Sequence, residues 1–186
     1  MDSKAFEYFN GSIEEMAHVA EGDQKCTFCE HTGTCFDLGG GAYGCFACLR
    51  QGRFFFDYGT EIGHLTPAGT KRFYPSQKKV PKRFNRATFA ALLRTPQFTT
   101  WQGEEWLIHC DDFMIYLGEW KPGDFRQKAQ DGDARKLFLE MTNKELAHLW
   151  DAATPKGAGS PSDWYATYYA FKCLQCGALR GYWDCP

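Results

Sequence analysis

No stretch of the 186 residues approaches the run of about twenty apolar side chains that crosses a bilayer as a helix. A secretory leader is not expected either. The first twenty residues carry Asp2, Lys4, Glu7, Glu14 and Glu15, with no apolar run of the length an h-region needs. The expectation is a cytoplasmic protein without a membrane span. Catalytic signatures are equally scarce: there is no His-Glu-x-x-His, no phosphate loop ending in Gly-Lys-Ser/Thr and no Gly-x-Ser-x-Gly elbow. The run Gly39 to Gly44 formally matches Gly-x-Gly-x-x-Gly, but it ends directly on Cys45 where a nucleotide fingerprint would open a helix, so it reads as a tight hairpin return. Acid is missing from one region only. Between Glu61 and Glu104 there is none, against Lys71, Arg72, Lys78, Lys79, Lys82, Arg83, Arg86 and Arg94. Such asymmetry can serve nucleic acid, although a charge run is more often a solvated face or loop.

Cysteine, by contrast, is plentiful. Cys26-Thr27-Phe28-Cys29 and Cys45-Phe46-Ala47-Cys48 are separated by fifteen residues. Each pair puts two thiols on one tight turn, and four thiolates satisfy the tetrahedral preference of zinc with no position left open for substrate. A redox dithiol needs only one such pair, and nine cysteines in a chain without a leader make a poor disulfide framework. The first site is therefore read as structural zinc in a treble-clef-like module over residues 20–57.

The rest of the chain reads as an α+β protein of small antiparallel sheets and a few helices in one compact unit over residues 1–186. Phe6, Tyr8 and Phe9 alternate like a strand edge, and Ser12-Ile13-Glu14-Glu15 has the form of a capping box that predicts a short helix over 13–20. Phe54-Phe55-Phe56 is a strand candidate, and residues 58–83, with their prolines and glycines, read as a loop. A sheet-plus-helix core is expected over residues 84–186. Within it, Asn85 caps a helix ending near Arg94, ahead of Thr95-Pro96. Two strands, Trp101 to Cys110 and Phe113 to Gly118, join at Asp111-Asp112. Helical spacing over 133–153 is interrupted by a second capping box at Thr142 to Glu145. Two final strands flank Cys173-Leu174-Gln175-Cys176-Gly177, which has the form of a zinc knuckle.

A knuckle supplies two ligands, and the other concentration of Cys and His is His109-Cys110. A second, split zinc site of His109, Cys110, Cys173 and Cys176 is expected. Neighbouring strand residues point to opposite faces, so His109 and Cys110 can share an ion only where the strand ends and turns. Cys35 and Cys185 are read as spare thiols.

The chain also resembles the CbrC family of bacterial proteins along most of its length. The resemblance rests on Phe6-Glu7-Tyr8-Phe9, Cys26 and Cys29, Cys45-Phe46-Ala47-Cys48 with Gly52, and Arg94-Thr95-Pro96. It continues through Trp101-Gln102-Gly103-Glu104, Trp106, His109-Cys110, Phe171-Lys172-Cys173, Cys176-Gly177 and Asp184. The family pattern carries another cysteine where this chain has Met114, so either His109 replaces that thiolate or the site has three protein ligands. The resemblance implies tolerance towards a nuclease colicin, with no established catalytic activity.

The leading expectation is a non-enzymatic protein holding two zinc ions that protects a bacterial cell by binding a protein toxin. Candidate contacts are Trp101, Trp120, Trp164, Tyr165, Tyr168 and Tyr169, with Glu104, Asp111 and Asp112 as acids suited to a basic nuclease. A nucleic-acid-binding protein using residues 71–94 is the alternative. An enzyme would require an open, three-coordinate second site with Asp112 or Glu105 as base.

Overall fold

The computed structural model describes residues 6–67, 84, 86–142, 148, 150 and 167–184. The fold is α+β, as expected, with small antiparallel sheets. Phe9 enters by a single bridge to Tyr116, and a 3₁₀ turn follows at Ile13–Glu15. The helix predicted over 13–20 stops there because tertiary pairing takes its backbone groups. Met16 bridges Phe98, Val19 bridges Phe36, and His18 between them adopts a left-handed φ of 62°. Glu15 of the capping box accepts from the Ser12 amide at 2.6 Å and from the Glu119 amide, also at 2.6 Å. Its side chain is thus spent on the central sheet as well as on its own turn.

The cysteine-rich module comes next. Strands β1 (Gln24–Lys25) and β2 (Thr32–Gly33) pair across the first Cys-x-x-Cys, and β3 (Cys35–Asp37) pairs with β4 (Tyr43–Cys45) across the glycine run. Gly39, Gly40 and Gly41 have φ of 80°, 62° and 79°, a return that side-chain-bearing residues strongly resist. Helix α1 (Phe46–Arg50) starts directly after Cys45 and makes little more than one turn. Phe54 and Phe56 form no strand. Their rings pack edge-on against Phe36 at 6.3 and 5.3 Å. A Cβ on Gly44 would lie 2.3 Å from the Phe54 ring, so glycine is required there as well.

The β5 (Tyr58–Thr60) and β6 (Gly63–Leu65) hairpin leads to residues outside the description, and α2 (Arg86–Leu93) follows. The predicted cap Asn85 lies outside the described residues. Strands β7 (Ile108–His109) and β8 (Asp112–Phe113) form a two-residue hairpin, and β9 (Ile115–Trp120) is a separate, longer strand. The turn therefore falls at Cys110-Asp111, one residue earlier than predicted, and Trp101 to Leu107 form no strand beyond a bridge from Trp106 to Thr60. Helices α3 (Pro122–Lys128) and α4 (Ala134–Met141) come next. The Asp133 carboxylate caps α4 by accepting from the Lys136 amide at 2.9 Å. Most of the second capping box, Asn143 to Glu145, lies outside the described residues.

Strands β10 (Thr167–Lys172) and β11 (Leu179–Asp184) complete a three-stranded antiparallel sheet in the order β11, β10, β9. Its two faces serve two apolar clusters. Tyr169 and Phe171 join the larger one with Phe98, Trp106 and Tyr116, while Tyr168 and Ala170 join a smaller one with Trp120, Phe125 and Phe138. Tyr116 and Trp120, four residues apart in one strand, would ordinarily share a face. A register shift leaves Leu117 without a partner between the pairs Phe171 to Tyr116 and Ala170 to Gly118, and this bulge sends Trp120 to the other side.

Candidate metal centres

In the first knuckle the Cys26 amide donates to the His31 carbonyl at 2.8 Å and the Glu30 amide to the Cys26 carbonyl at 2.9 Å. In the second, the Cys173 amide donates to the Ala178 carbonyl at 2.8 Å and the Gly177 amide to the Cys173 carbonyl at 3.0 Å. The two turns are built alike. In each, the residue after the second cysteine takes a left-handed φ, 61° at Glu30 and 76° at Gly177.

The first knuckle meets the start of α1. Cys26 Sγ lies 3.7 Å from Cys48 Sγ, and Cys29 Sγ lies 3.6 Å from Cys45 Sγ. Sulfurs about 2.3 Å from a tetrahedral centre stand about 3.8 Å apart, whereas a disulfide would bring them to about 2.05 Å. All four described cysteines of the cluster are free thiols, and together they could hold a metal ion. Their electrostatics are divided. Burial opposes ionisation of Cys26, but the amides of Cys45, Phe28 and Cys29 prevail and bring its thiol down to about 6. Burial and the neighbouring thiols push Cys48 well above the usual range. Four sulfurs at this spacing can ionise together only with a cation among them.

Cys35 sits beside this cluster but outside it. Its Sγ points to the Gln24 carbonyl at 3.5 Å, and burial, followed by the nearby thiols, pushes it up to about 11. Cys185 lies outside the described residues.

The second centre joins the β7–β8 hairpin to the knuckle between β10 and β11. His109 Nδ1 lies 3.2 Å from Cys110 Sγ and 3.4 Å from Cys176 Sγ, close to the roughly 3.5 Å edge of a nitrogen and a sulfur bound to one tetrahedral ion. His109, Cys110, Cys173 and Cys176 form a second group that could hold a metal ion. The geometric objection to adjacent strand residues is met by the turn itself. Cys110 and Asp111 have φ of 51° and 58°, and this doubly left-handed turn swings Cys110 round beside His109. Burial opposes ionisation of Cys173, but the Cys176 and Gln175 amides lower its thiol to about 6, as in the first knuckle. Met114 is fully buried in the larger core and is no member of the group, whose fourth potential ligand atom is offered by His109.

A part-buried polar clamp that the sequence does not announce holds this hairpin. Arg180 of β11 donates to the Ile108 carbonyl at 2.8 Å and to both Glu61 oxygens, at 2.9 and 3.2 Å. Glu61 also accepts from the Ile108 amide at 2.7 Å. Residues far apart in sequence thus fix the backbone directly before His109. Nothing in the local pattern around either charge signals their pairing.

The residues expected to contact a partner fare unevenly. Trp101 is 62% exposed and well positioned, its amide donating to buried Asp184 at 3.0 Å and its indole N–H to Thr167 at 3.3 Å. Asp111 is exposed, while Asp112 is half-buried and accepts from the Tyr8 hydroxyl at 2.9 Å. Trp120, Tyr168 and Tyr169 are buried in the two cores, which corrects the expectation of exposure for them. Glu104 is likewise no surface acid: burial pushes its carboxyl up to about 8, with only Gln97 donating to it. Trp164 and Tyr165, with Lys71 to Arg83 of the basic run, lie outside the described residues. Arg86 is exposed, and Arg94 donates to the Ala90 carbonyl at 2.9 Å.

These features define a class: an α+β protein in which two cysteine knuckles, each completed by a second element, form thiol-rich centres fit for a metal. Its place within that class is given by sequence. A family model described as "Uncharacterised protein family (UPF0167)" matches residues 4–185, and the chain belongs to this family. It is 34% identical over 86 residues to the UPF0167 protein PA1536 of Pseudomonas aeruginosa, covering 45% of this chain and 44% of that protein. It is 35% identical over 99 residues to the UPF0167 protein Mb2317 of Mycobacterium bovis, covering 52% of this chain and 50% of that protein. The chain thus spans about half the length of the curated relatives it matches. No solved structure matches it. The family and its relatives carry the name UPF0167, which differs from CbrC, so the CbrC assignment drawn from the motifs is not supported.

Proposed function

We propose that the protein is a non-enzymatic binding protein stapled by two structural zinc ions. The observation that carries this reading is that each centre gathers four protein ligands, which leaves a tetrahedral ion no position for substrate. Thiolate-rich sets of this kind favour zinc among the common divalent ions. Free thiols of this number suit a reducing compartment, and we place the protein in the cytoplasm. Trp101, exposed yet fixed by two hydrogen bonds, is the anchor we assign to a protein partner.

The toxin expected as that partner loses the resemblance that suggested it. It keeps the charge argument, acids set to meet a basic nuclease, with Asp111 the exposed carboxylate among those named. The nucleic-acid alternative depends on residues 71–83, which lie outside the described residues, and no observation favours it.

Metal analysis of the purified chain is expected to find two zinc ions, with Cys26→Ser and Cys173→Ser each removing one. Less than one zinc per chain would sink the reading. The partner is expected to be recovered on the immobilised protein irrespective of nuclease treatment, with Trp101→Ala weakening capture at least tenfold. Recovery that disappears with nuclease would shift the function to the basic segment.

A further inference from the structure

Away from both metal centres the surface holds a cavity of about 740 Å³, within the range of small-ligand sites. Three separate stretches wall it: Ala17 and His18 after the 3₁₀ turn, Asp57, Gly59 and His64 around the β5–β6 hairpin, and the connection from Gln97 to Glu104. It is a built site. Gln97 donates one amide to the Asp57 carbonyl and to Glu104 Oε1, both at 2.7 Å, which fixes the floor. The backbone at Gly59 approaches Glu104 so closely that a Cβ there would lie 2.4 Å from the Glu104 carbonyl oxygen. His18 is held in its left-handed conformation with its ring stacked on Phe56 at 6.2 Å.

The acidic groups of this cavity face no lysine or arginine among the described residues that line its walls. Asp57 and Glu104 contribute two carboxyl groups, and His64 lies 3.8 Å from Asp57. Glu104 Oε2 is buried and has no hydrogen-bond partner among the described residues. A buried carboxyl oxygen left bare costs free energy that an incoming donor recovers. An anion would meet two carboxyl groups, and an apolar ligand would leave Oε2 bare. A cation that donates N–H bonds answers both needs. Burial keeps the empty carboxyl largely neutral, and an arriving positive charge favours its ionised form.

We infer that this cavity binds an organic cation, a guanidinium or primary ammonium group, with Glu104 and Asp57 as the recognising carboxylates. The inference deepens the partner-binding reading by naming the group the partner presents, while no candidate ligand of either metal centre lines the cavity. The cation can come from a basic side chain of a partner protein or from a free polyamine.

The test is calorimetric titration of the full, zinc-loaded chain with acetyl-glycyl-arginyl-glycinamide, with the same peptide carrying citrulline, and with spermidine. Saturable binding of the arginine peptide or of spermidine, at least tenfold tighter than the citrulline peptide, is the expected result. The arginine peptide identifies a protein side chain as the source, and spermidine alone identifies a free polyamine. Glu104→Gln is expected to weaken the cation at least tenfold, and Asp57→Asn several-fold, with the fold checked by circular dichroism. No saturable binding by either cation, citrulline binding equally well, or unchanged affinity in both variants overturns the inference. A basic partner captured by a chain that binds neither cation would overturn the cavity and leave the partner-binding reading standing.

Discussion

Glu30 and Gly177 hold equivalent places after the second cysteine of the two knuckles, and only one of them suits the backbone it must adopt. A left-handed conformation costs a side-chain-bearing residue about 1 to 2 kcal/mol. The exposed ion pair of Glu30 with Lys25, at 3.3 Å, returns little of that. Glu30→Gly is therefore expected to stabilise the zinc-loaded protein by about 1 kcal/mol in denaturant unfolding, after the greater freedom of glycine in the unfolded chain is deducted. Glu104 makes a second prediction at this scale. Its folded pKa of about 8 lies above the ordinary carboxyl range, so the folded state keeps a proton that the unfolded chain releases. The stability tied to that proton is fully present at low pH and is lost as pH rises towards 8. Glu104→Gln removes the loss, and its advantage over the parent should grow by up to about 1.4 kcal/mol per pH unit between pH 6 and 8. An advantage independent of pH would contradict the buried, protonated carboxyl.

Among the elements, the β7–β8 hairpin bears the most constraint for its size. Two residues with left-handed φ, neither a glycine, form its turn, and the Glu61 and Arg180 pair grips its backbone. Arg180→Met should remove the guanidinium from Glu61 and from the Ile108 carbonyl and lower the affinity of the second centre for metal by about 10- to 100-fold, as loss of supporting groups around metal ligands commonly does. Competition with a chromophoric chelator would measure this, with the first centre as internal control. The elements also show where sequence reading succeeds. The Cys-x-x-Cys turns and the glycine return at 39–41 are local structures, so local spacing discloses them. The helix expected after Ser12 failed because Met16, His18 and Val19 are held by Phe98, Asp37 and Phe36, contacts no local pattern contains. Trp120 is buried because the strand runs on past Gly118, to Trp120, over a sheet whose two faces are both covered by apolar clusters, which no local pattern announces.

Across the whole molecule, the two centres pin different parts of the chain: the first closes a local module, and the second ties the hairpin at His109 to the knuckle at Cys173. Structural zinc in isolated fingers contributes roughly 10 to 16 kcal/mol, more than most domains have to spare. Chelation is expected to unfold the protein cooperatively, with loss of the near-ultraviolet signal of its packed aromatics, and added zinc to restore it. A chelated protein that keeps this signal would show that the aromatic cores suffice. The four ligands of each centre could be proposed from the sequence because Cys and His are rare and their spacing is chemical. The cavity around Glu104 could not, since its walls come from three stretches joined only by folding. The same topology makes the molecule separable in principle. Strands β10 and β11 carry two ligands of the second centre, and β9 and the hairpin lie before residues 151–166. A chain cut within that stretch would become two pieces that meet through the β9–β10 pairing, the Arg180 clamp and the shared apolar clusters, a split protein whose reassembly a metal ion at the second centre would favour.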